Sequence, residues 1–391
     1  MRNALKGVLA FGFLLASVAT SPGAETDALL KTIKNVGGEG DGNVAAAKAW
    51  AELVKAGPAA LIDILAAFEG ADVTAVNYLR TAAETIAERE GNAGRALPAA
   101  KLEAFLNDKK HSGKARRLAY DLLVRVDAKA PERLLPGMLD DPAGELRRDA
   151  VAVALKDAQA VLEKGDKAAA ATAFWKVLSS ARDKDQIDLI AKQIKALGGE
   201  VDLAAKFGFI RHWALACPFD NTEGAGFAKV FPPEKGVDLT ATYTGKKDAK
   251  AQWIKHATTD DYGTVNLNKV LGKLRGTTAY AFTVIDSPDE RPVELRAGSI
   301  TALKIFLNGK QMFAREEYHH GMDMDQHVGT GTLKKGRNEI LVKICQNEQT
   351  EQWAQEWMFQ LRVCDALGGA VPMTVVEPSI LSDKPETRRR P

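Results

Sequence analysis

The chain has 391 residues, with 53 Lys and Arg against 51 Asp and Glu, and a formal net charge of +2 that Arg2 and Lys6 alone account for. Without those two the chain is near neutral, which leaves no global field to draw nucleic acid or acidic lipid, and its length suits two ordinary domains. Cys217, Cys345 and Cys364 are too few for a disulfide scaffold, so an apolar core must hold the fold.

Residues 1–24 read as an export signal. Arg2 and Lys6 precede an apolar run containing Val8, Leu9, Phe11, Phe13, Leu14, Leu15 and Val18, and small residues follow through Ser21-Pro22-Gly23-Ala24. The run is short for a membrane span, no later segment approaches that length, and no Cys follows it to carry a lipid. The expected location is the periplasm, the cell surface or the exterior, with no membrane span once the signal is removed.

From Thr26 to about Gly199 the composition shifts to Ala, Leu, Lys and Glu, and the apolar period becomes helical. Leu61, Ile64, Leu65 and Phe68 follow it, as do Leu118, Ala119, Leu122, Leu123 and Val126, and then Ile187, Ile190, Ala191 and Ile194. Gly57-Pro58 and Asp141-Pro142 place proline at the first helical position, and Gly198-Gly199 stops the last helix. Pro58-Ala59-Ala60, Pro98-Ala99-Ala100 and Pro131-Glu132-Arg133 each open a helix. A second helix with an Arg-x-Ala mark follows each: Arg80-Thr81-Ala82, Arg117-Leu118-Ala119 and Arg148-Asp149-Ala150, at spacings of 31 to 40 residues. That is the size of a two-helix unit, whose apolar face is buried only by stacking on its neighbours. Over about 43–155 this pattern resembles HEAT repeats. The resemblance implies an α-helical solenoid within a 25–200 domain, with a curved face for a protein partner; 167–197 reads as a capping helix pair.

At Phe207 the pattern changes to glycine, aromatic and β-branched residues with a period of two. Tyr280, Phe282 and Val284 alternate with Ala281 and Thr283; Leu303, Ile305 and Leu307 lead into Asn308-Gly309, a strong hairpin signal; Ile340, Val342 and Ile344 make a further stripe, and Trp357, Phe359, Leu361 and Val363 the last. Many short strands without intervening helices predict an antiparallel β-sandwich or jelly roll. The whole chain is therefore expected to be multi-domain, α then β: 25–200 helical, 207–367 sandwich, and 368–391 a disordered tail ending in the solvated Arg388-Arg389-Arg390.

Several segments of the β half resemble one family. Trp213 with Cys217-Pro218-Phe219-Asp220-Asn221, the mid-domain Trp253, the Leu303 to Gly309 hairpin, Gly336-Arg337-Asn338-Glu339-Ile340-Leu341-Val342-Lys343, and Trp357-Met358-Phe359-Gln360-Leu361-Arg362 resemble bacterial exported galactose-binding-like modules of the carbohydrate-binding type. Cys217 stands where those modules usually carry Gly. First and last strands are commonly neighbours in such sandwiches, so the resemblance implies a Cys217–Cys364 disulfide. A Cys345–Cys364 bridge does not fit a simple hairpin of the last two strands: it would have to span the last strand at about 3.3 Å per residue, beyond the ~7 Å between Cα atoms that a disulfide tolerates.

Two clusters carry candidate chemistry. His319, His320 and His327 with Asp323 and Asp325 offer imidazole and carboxylate ligands of the kind that hold zinc or another transition metal; the alternative is a polar loop, and no other cofactor is expected. Trp353 follows the donor- and acceptor-rich run Gln346-Asn347-Glu348-Gln349-Thr350-Glu351-Gln352, a combination suited to a sugar ring, and Trp253 is a second candidate platform. Core packing is the competing role for each Trp, strongest for Trp357. Asp260-Asp261 and Asp289-Glu290 are paired acids in turn-like, solvated stretches. The expected function is a non-catalytic exported binding or scaffold protein whose sandwich holds a carbohydrate or other cell-surface ligand. Two alternatives stay open: a structural envelope assembly protein, and a metal-dependent hydrolase using the His319–His327 cluster.

Overall fold

The computed structural model describes residues 22–377. A helical region comes first and antiparallel sheets follow, and the chain divides into two compact units at Gln159 and Ala160. The expected export signal lies outside the described residues except for 22–24, which open the first helix, and 378–391 lie outside them as well. No described helix is long and apolar enough to cross a membrane.

The first unit holds α1 (Pro22–Lys34), α2 (Asn43–Leu53), α3 (Leu61–Ala66), α4 (Val73–Asn92), α5 (Ala99–Asn107), α6 (Gly113–Val124), α7 (Ala130–Leu134) and most of α8 (Gly144–Glu163). Asp72 caps α4, its Oδ1 accepting from the Ala75 amide at 2.7 Å. The apolar stripes meet as the helical period requires: α3 packs on α4 and α5 on α6, and Ile64, Leu65, Leu79, Ile86, Leu102, Leu106, Leu118 and Leu122 share one core. Pro58 opens a turn into α3 as expected. Pro142 does not open α8, which begins at Gly144. Asp141 instead directs its carboxylate to the Ala143 amide at 2.8 Å and to both terminal nitrogens of Arg116 at 2.8 and 2.7 Å. Both partners are 1% exposed, and Arg116 Nε also donates to the Leu106 carbonyl. Its neighbour Arg117, the residue of the repeat mark, reaches Asp121 at 3.0 Å and Asp149 of the next mark.

The second unit begins with helices. α9 (Lys167–Ser180), α10 (Lys184–Ala196) and α11 (Leu203–Phe207) belong with the strands. The reason is specific contact: Tyr262 Oη donates to Asp188 at 2.6 Å, Lys184 lies over the Tyr262 ring, Lys195 pairs with Asp261 at 3.6 Å, and Arg182 donates to the Leu367 carbonyl at 3.1 Å.

The strands are β1 (His212–Asp220), β2 (Thr242–Thr244), β3 (Lys250–Ala257), β4 (Val265–Asn266), β5 (Thr277–Ser287), β6 (Arg291–Ser299), β7 (Ala302–Leu307), β8 (Lys310–Arg315), β9 (His327–Leu333), β10 (Gly336–Gln346), β11 (Met358–Cys364) and β12 (Thr374–Val376). An eight-stranded sheet runs β2-β3-β1-β5-β10-β7-β8 with β12 also on β5, and a four-stranded sheet runs β4-β11-β6-β9. β12 falls within the stretch expected to be a disordered tail; its pairing with β5 at Thr374–Val376 corrects that expectation for this segment. The Asn308-Gly309 turn forms as read, with φ of 52° and 78°. Trp213, Leu215, Ala281, Leu303, Val342, Ile344, Leu295, Trp357, Phe359 and Leu361 draw both sheets into one core.

The opposite face of the large sheet is buried too, which alternation alone does not reveal. Tyr280, Phe282, Val284, Trp253, Phe306 and Leu341 form a second cluster with Phe219 and Phe231. The segment carrying α12 (Ala225–Ala228) and α13 (Pro232–Lys235) lies against that face, anchored by Lys343. The fully buried Lys343 ammonium donates to the carbonyls of Phe227 and Lys229 at 3.1 and 2.6 Å and to Glu234 at 2.9 Å, while Tyr280 Oη also donates to Glu234. Burial pushes the Lys343 amine down and Glu234 opposes it.

The expected Cys217–Cys364 disulfide is absent; all three cysteines are free thiols. β1 and β11 sit in different sheets. Cys217 Sγ faces Thr277 Oγ1 at 3.9 Å, Cys364 Sγ faces the Glu294 carbonyl at 3.7 Å and Cys345 Sγ meets Thr278 Oγ1 at 3.2 Å. Burial pushes the thiols up to about 12, 11 and 11 for Cys217, Cys345 and Cys364, which keeps them protonated and poorly nucleophilic at neutral pH.

Candidate functional site

Three connections of the second unit are bonded together: 346–357 between β10 and β11, 316–326 between β8 and β9, and 221–226 after β1. The Gln346 amide is buried and donates to the Ala354 and Glu356 carbonyls at 3.3 and 3.2 Å, drawing its own loop into a closed turn. Buried Asn221 donates through Nδ2 to the Gln346 carbonyl and to Tyr318 Oη, both at 3.1 Å, so the 221 turn is bonded to both loops. Glu348 accepts from the Glu223 amide at 2.8 Å. Burial pushes the Tyr318 phenol up to about 12, which leaves it neutral as a hydrogen-bonding group.

Trp353 stands on a short 3-10 turn (Gln352–Gln355) in the closed loop and is 62% exposed. The His319 ring meets it nearly at right angles, with centroids 5.5 Å apart and an interplanar angle of 86°. His319 Nε2 lies 2.7 Å from Asn347 Oδ1, which also accepts from the Gln349 amide at 3.1 Å. An exposed indole backed by amides and an imidazole can stack on the C–H face of a sugar ring while neighbouring polar groups bond its hydroxyls.

The other expected ligand residues separate. Trp253 is a core residue, 4% exposed and packed edge-on to Phe282, because the covering segment encloses that face of the sheet. Gln346 spends its amide inside its own loop, and Asn347 spends its oxygen on His319 and Gln349, so both shape the Trp353 loop from behind.

The expected metal cluster does not converge, which corrects that reading. Among the described residues no group of three or more His, Cys, Asp or Glu side chains stands together to hold a metal ion. His319 is turned to Asn347. His320 Nδ1 meets Gln326 Nε2 at 2.8 Å, and His327 is 4% exposed and stacked on Phe313 at 5.0 Å. Burial, with His320 and Arg315 adding to it, pushes the His327 imidazole down. Asp325 accepts from Nε of the fully buried Arg362 at 2.6 Å and from Nη1 of Arg296 at 2.8 Å. Burial works against that carboxylate, but the two guanidiniums hold it below the usual carboxylate range. Asp323 is exposed. Four of the five lie along one loop whose backbone turns them in different directions, with His319 and Asp325 at φ of 61° and 62°, and His327 opens β9. Of the paired acids, Asp260 bonds the Tyr262 and Thr264 amides of its own turn and Asp289 pairs with Arg291.

Sequence reasoning missed the roles of Tyr318, Asn221 and His319. Their only signal is polar identity in connections that no periodicity governs. It also missed the Lys343–Glu234–Tyr280 group, because a lysine in an alternating strand reads as solvent-facing. The larger clefts of the unit are lined by other residues: one of about 330 Å³ is bounded by Gly208, Phe209, His212, Val371, Met373 and Val375.

No family model matches the chain, and no curated protein matches it. Among solved structures, an anti-sigma factor domain-containing protein is similar at 12% identity and a TM-score of 0.24, over 42% of this chain and 49% of its own. A GH31 alpha-xylosidase from Xanthomonas citri is similar at 12% identity and a TM-score of 0.19, over 39% of this chain and 17% of its own. The chain thus spans about half of the first and less than a fifth of the second.

Proposed function

We propose that the protein is an exported, non-catalytic binding protein. In this reading the two antiparallel sheets are a galactose-binding-like β-sandwich that holds a carbohydrate or another cell-surface ligand, and the helical unit is a HEAT-like solenoid that holds a protein. The observation that carries the ligand reading is Trp353, 62% exposed on a closed loop and flanked by His319 and Asn347. An indole left largely in water on a well-bonded loop gives up apolar burial that a ligand could recover. The solenoid reading draws support from Arg117, which joins its own repeat mark to Asp149 of the next.

Affinity electrophoresis in gels carrying soluble xylan, glucomannan or mixed-linkage β-glucan tests the ligand reading. Retardation by at least one polysaccharide, abolished in Trp353→Ala, is expected. A chain that migrates freely in every gel sinks it, and co-purification with envelope proteins without glycan binding would favour a structural role in the envelope instead.

A further inference from the structure

His319 carries two features that a solvated loop histidine does not need. Its backbone sits at φ 61°, in the left-handed region that is uncommon for a non-glycine residue. Its ring is held from one side by a hydrogen bond and presses on Trp353 from the other. Asn347 Oδ1 is fixed as the oxygen because the Gln349 amide donates to it at 3.1 Å, so His319 Nε2, 2.7 Å away, must be the donor. His319 Nδ1 is enclosed and unbonded among the protein atoms. The imidazole therefore has a defined tautomer, a defined plane and an indole 5.5 Å away at 86°. Neither residue needs to reach a ligand to matter. An exposed Trp on a short turn loses rotamer freedom when it binds, and a neighbour that fixes it beforehand removes that cost from the binding step.

We propose that His319 and Asn347 are positioning residues that pre-order the Trp353 indole, so that affinity and stereochemical selectivity at this platform are set by a pair that does not touch the ligand. The inference rests on Trp353 being the ligand platform, but the ordering of its ring can be measured without any ligand.

The full chain is labelled with 5-fluorotryptophan, and the Trp353 fluorine resonance is assigned by its disappearance in Trp353→Phe. In the parent protein this resonance should lie away from the position of the free amino acid. His319→Ala and Asn347→Ala should both move it toward that position and sharpen it, while the resonances of Trp213 and Trp357 stay in place and report an intact core. His319→Phe keeps a ring against the indole and should restore most of the displacement. A Trp353 resonance already at the free position in the parent, or one unmoved by both alanine variants, overturns the proposal. With a polysaccharide that retards the parent chain, the two alanine variants should bind about 2- to 10-fold more weakly, the range of one aromatic pair. Free migration in every gel together with a displaced Trp353 resonance would end the carbohydrate reading and leave the ordering of the ring standing; an unmoved resonance with normal retardation would do the reverse.

Discussion

In the helical unit Arg116 and Asp141 are 25 positions apart and join two successive helix pairs; in the β unit Arg362 and Asp325 are 37 apart and join a strand to an irregular loop. Both are buried arginine–aspartate contacts with further bonds to backbone carbonyls, yet their surroundings differ. Arg116 sits among helices that already share an apolar core, so its pair fixes the setting of one helix pair on the next. Asp325 sits in a largely polar loop whose aliphatic members are Met322 and Met324, and Arg362 with Arg296 ties that loop down where a core does so elsewhere. A buried ion pair refines packing in the first case and substitutes for it in the second.

Asp325→Ala should give the largest effect. It leaves the fully buried Arg362 without its counter-charge and removes one of the three side-chain hydrogen bonds of Arg296, so a loss of about 3–5 kcal/mol is expected, read as a shifted urea midpoint by tryptophan fluorescence. Asp141→Asn removes the charge but keeps a hydrogen-bond acceptor beside Arg116, and a smaller loss of about 2–3 kcal/mol is expected, read by far-ultraviolet circular dichroism. Equal losses would mean that the two pairs play the same part.

Trp357→Ala and Trp353→Ala contrast a core indole with a surface one. The first should cost about 3–5 kcal/mol. The second should stay within about 0.5 kcal/mol of the parent while glycan binding falls by about tenfold or more. A large stability loss in Trp353→Ala would make Trp353 a packing residue.

The two units should also lose stability to acid at different points. His327 in the β unit has its folded-state value lowered by burial, so the unfolded chain takes up the proton first. Stability is complete above the unfolded value of about 6.5 and declines as pH falls from there to the lowered one. Asp141 in the helical unit and Asp325 in the β unit are lowered carboxyls, with burial opposed by their arginines; their contribution is complete above about pH 4 and is lost as pH falls through the lowered values. Following each unit's signal from neutral pH to about pH 3 should show the β unit weakening first, a difference that His327→Phe should narrow. The smallest effect is expected from reductant: with three free thiols, two of them buried, it should leave the unfolding midpoint where it was.

The sequence by itself determined the order helices then strands, the position of most helices, and the Asn308-Gly309 hairpin. These depend on spacings of a few residues: Ile64 and Leu65 against Phe68, or Leu303 against Ile305, report on which side of a helix or strand meets apolar surface. It also placed Trp353 in a polar run, and that much of the candidate site was legible.

Only the tertiary structure decided the rest, because each remaining feature depends on what a distant segment brings. Trp253 became a core residue when 225–245 covered its sheet, and Lys343 was buried because Glu234 and two carbonyls came with that cover. The division at Gln159–Ala160 follows from Asp188 meeting Tyr262, residues with no mark of partnership in their own neighbourhoods. The His and Asp cluster parted because Asp325 found two arginines and His319 found Asn347. Periodicity tells which face of an element is apolar. It does not tell which polar residues, far apart along the chain, will neutralise one another's charge once they leave water.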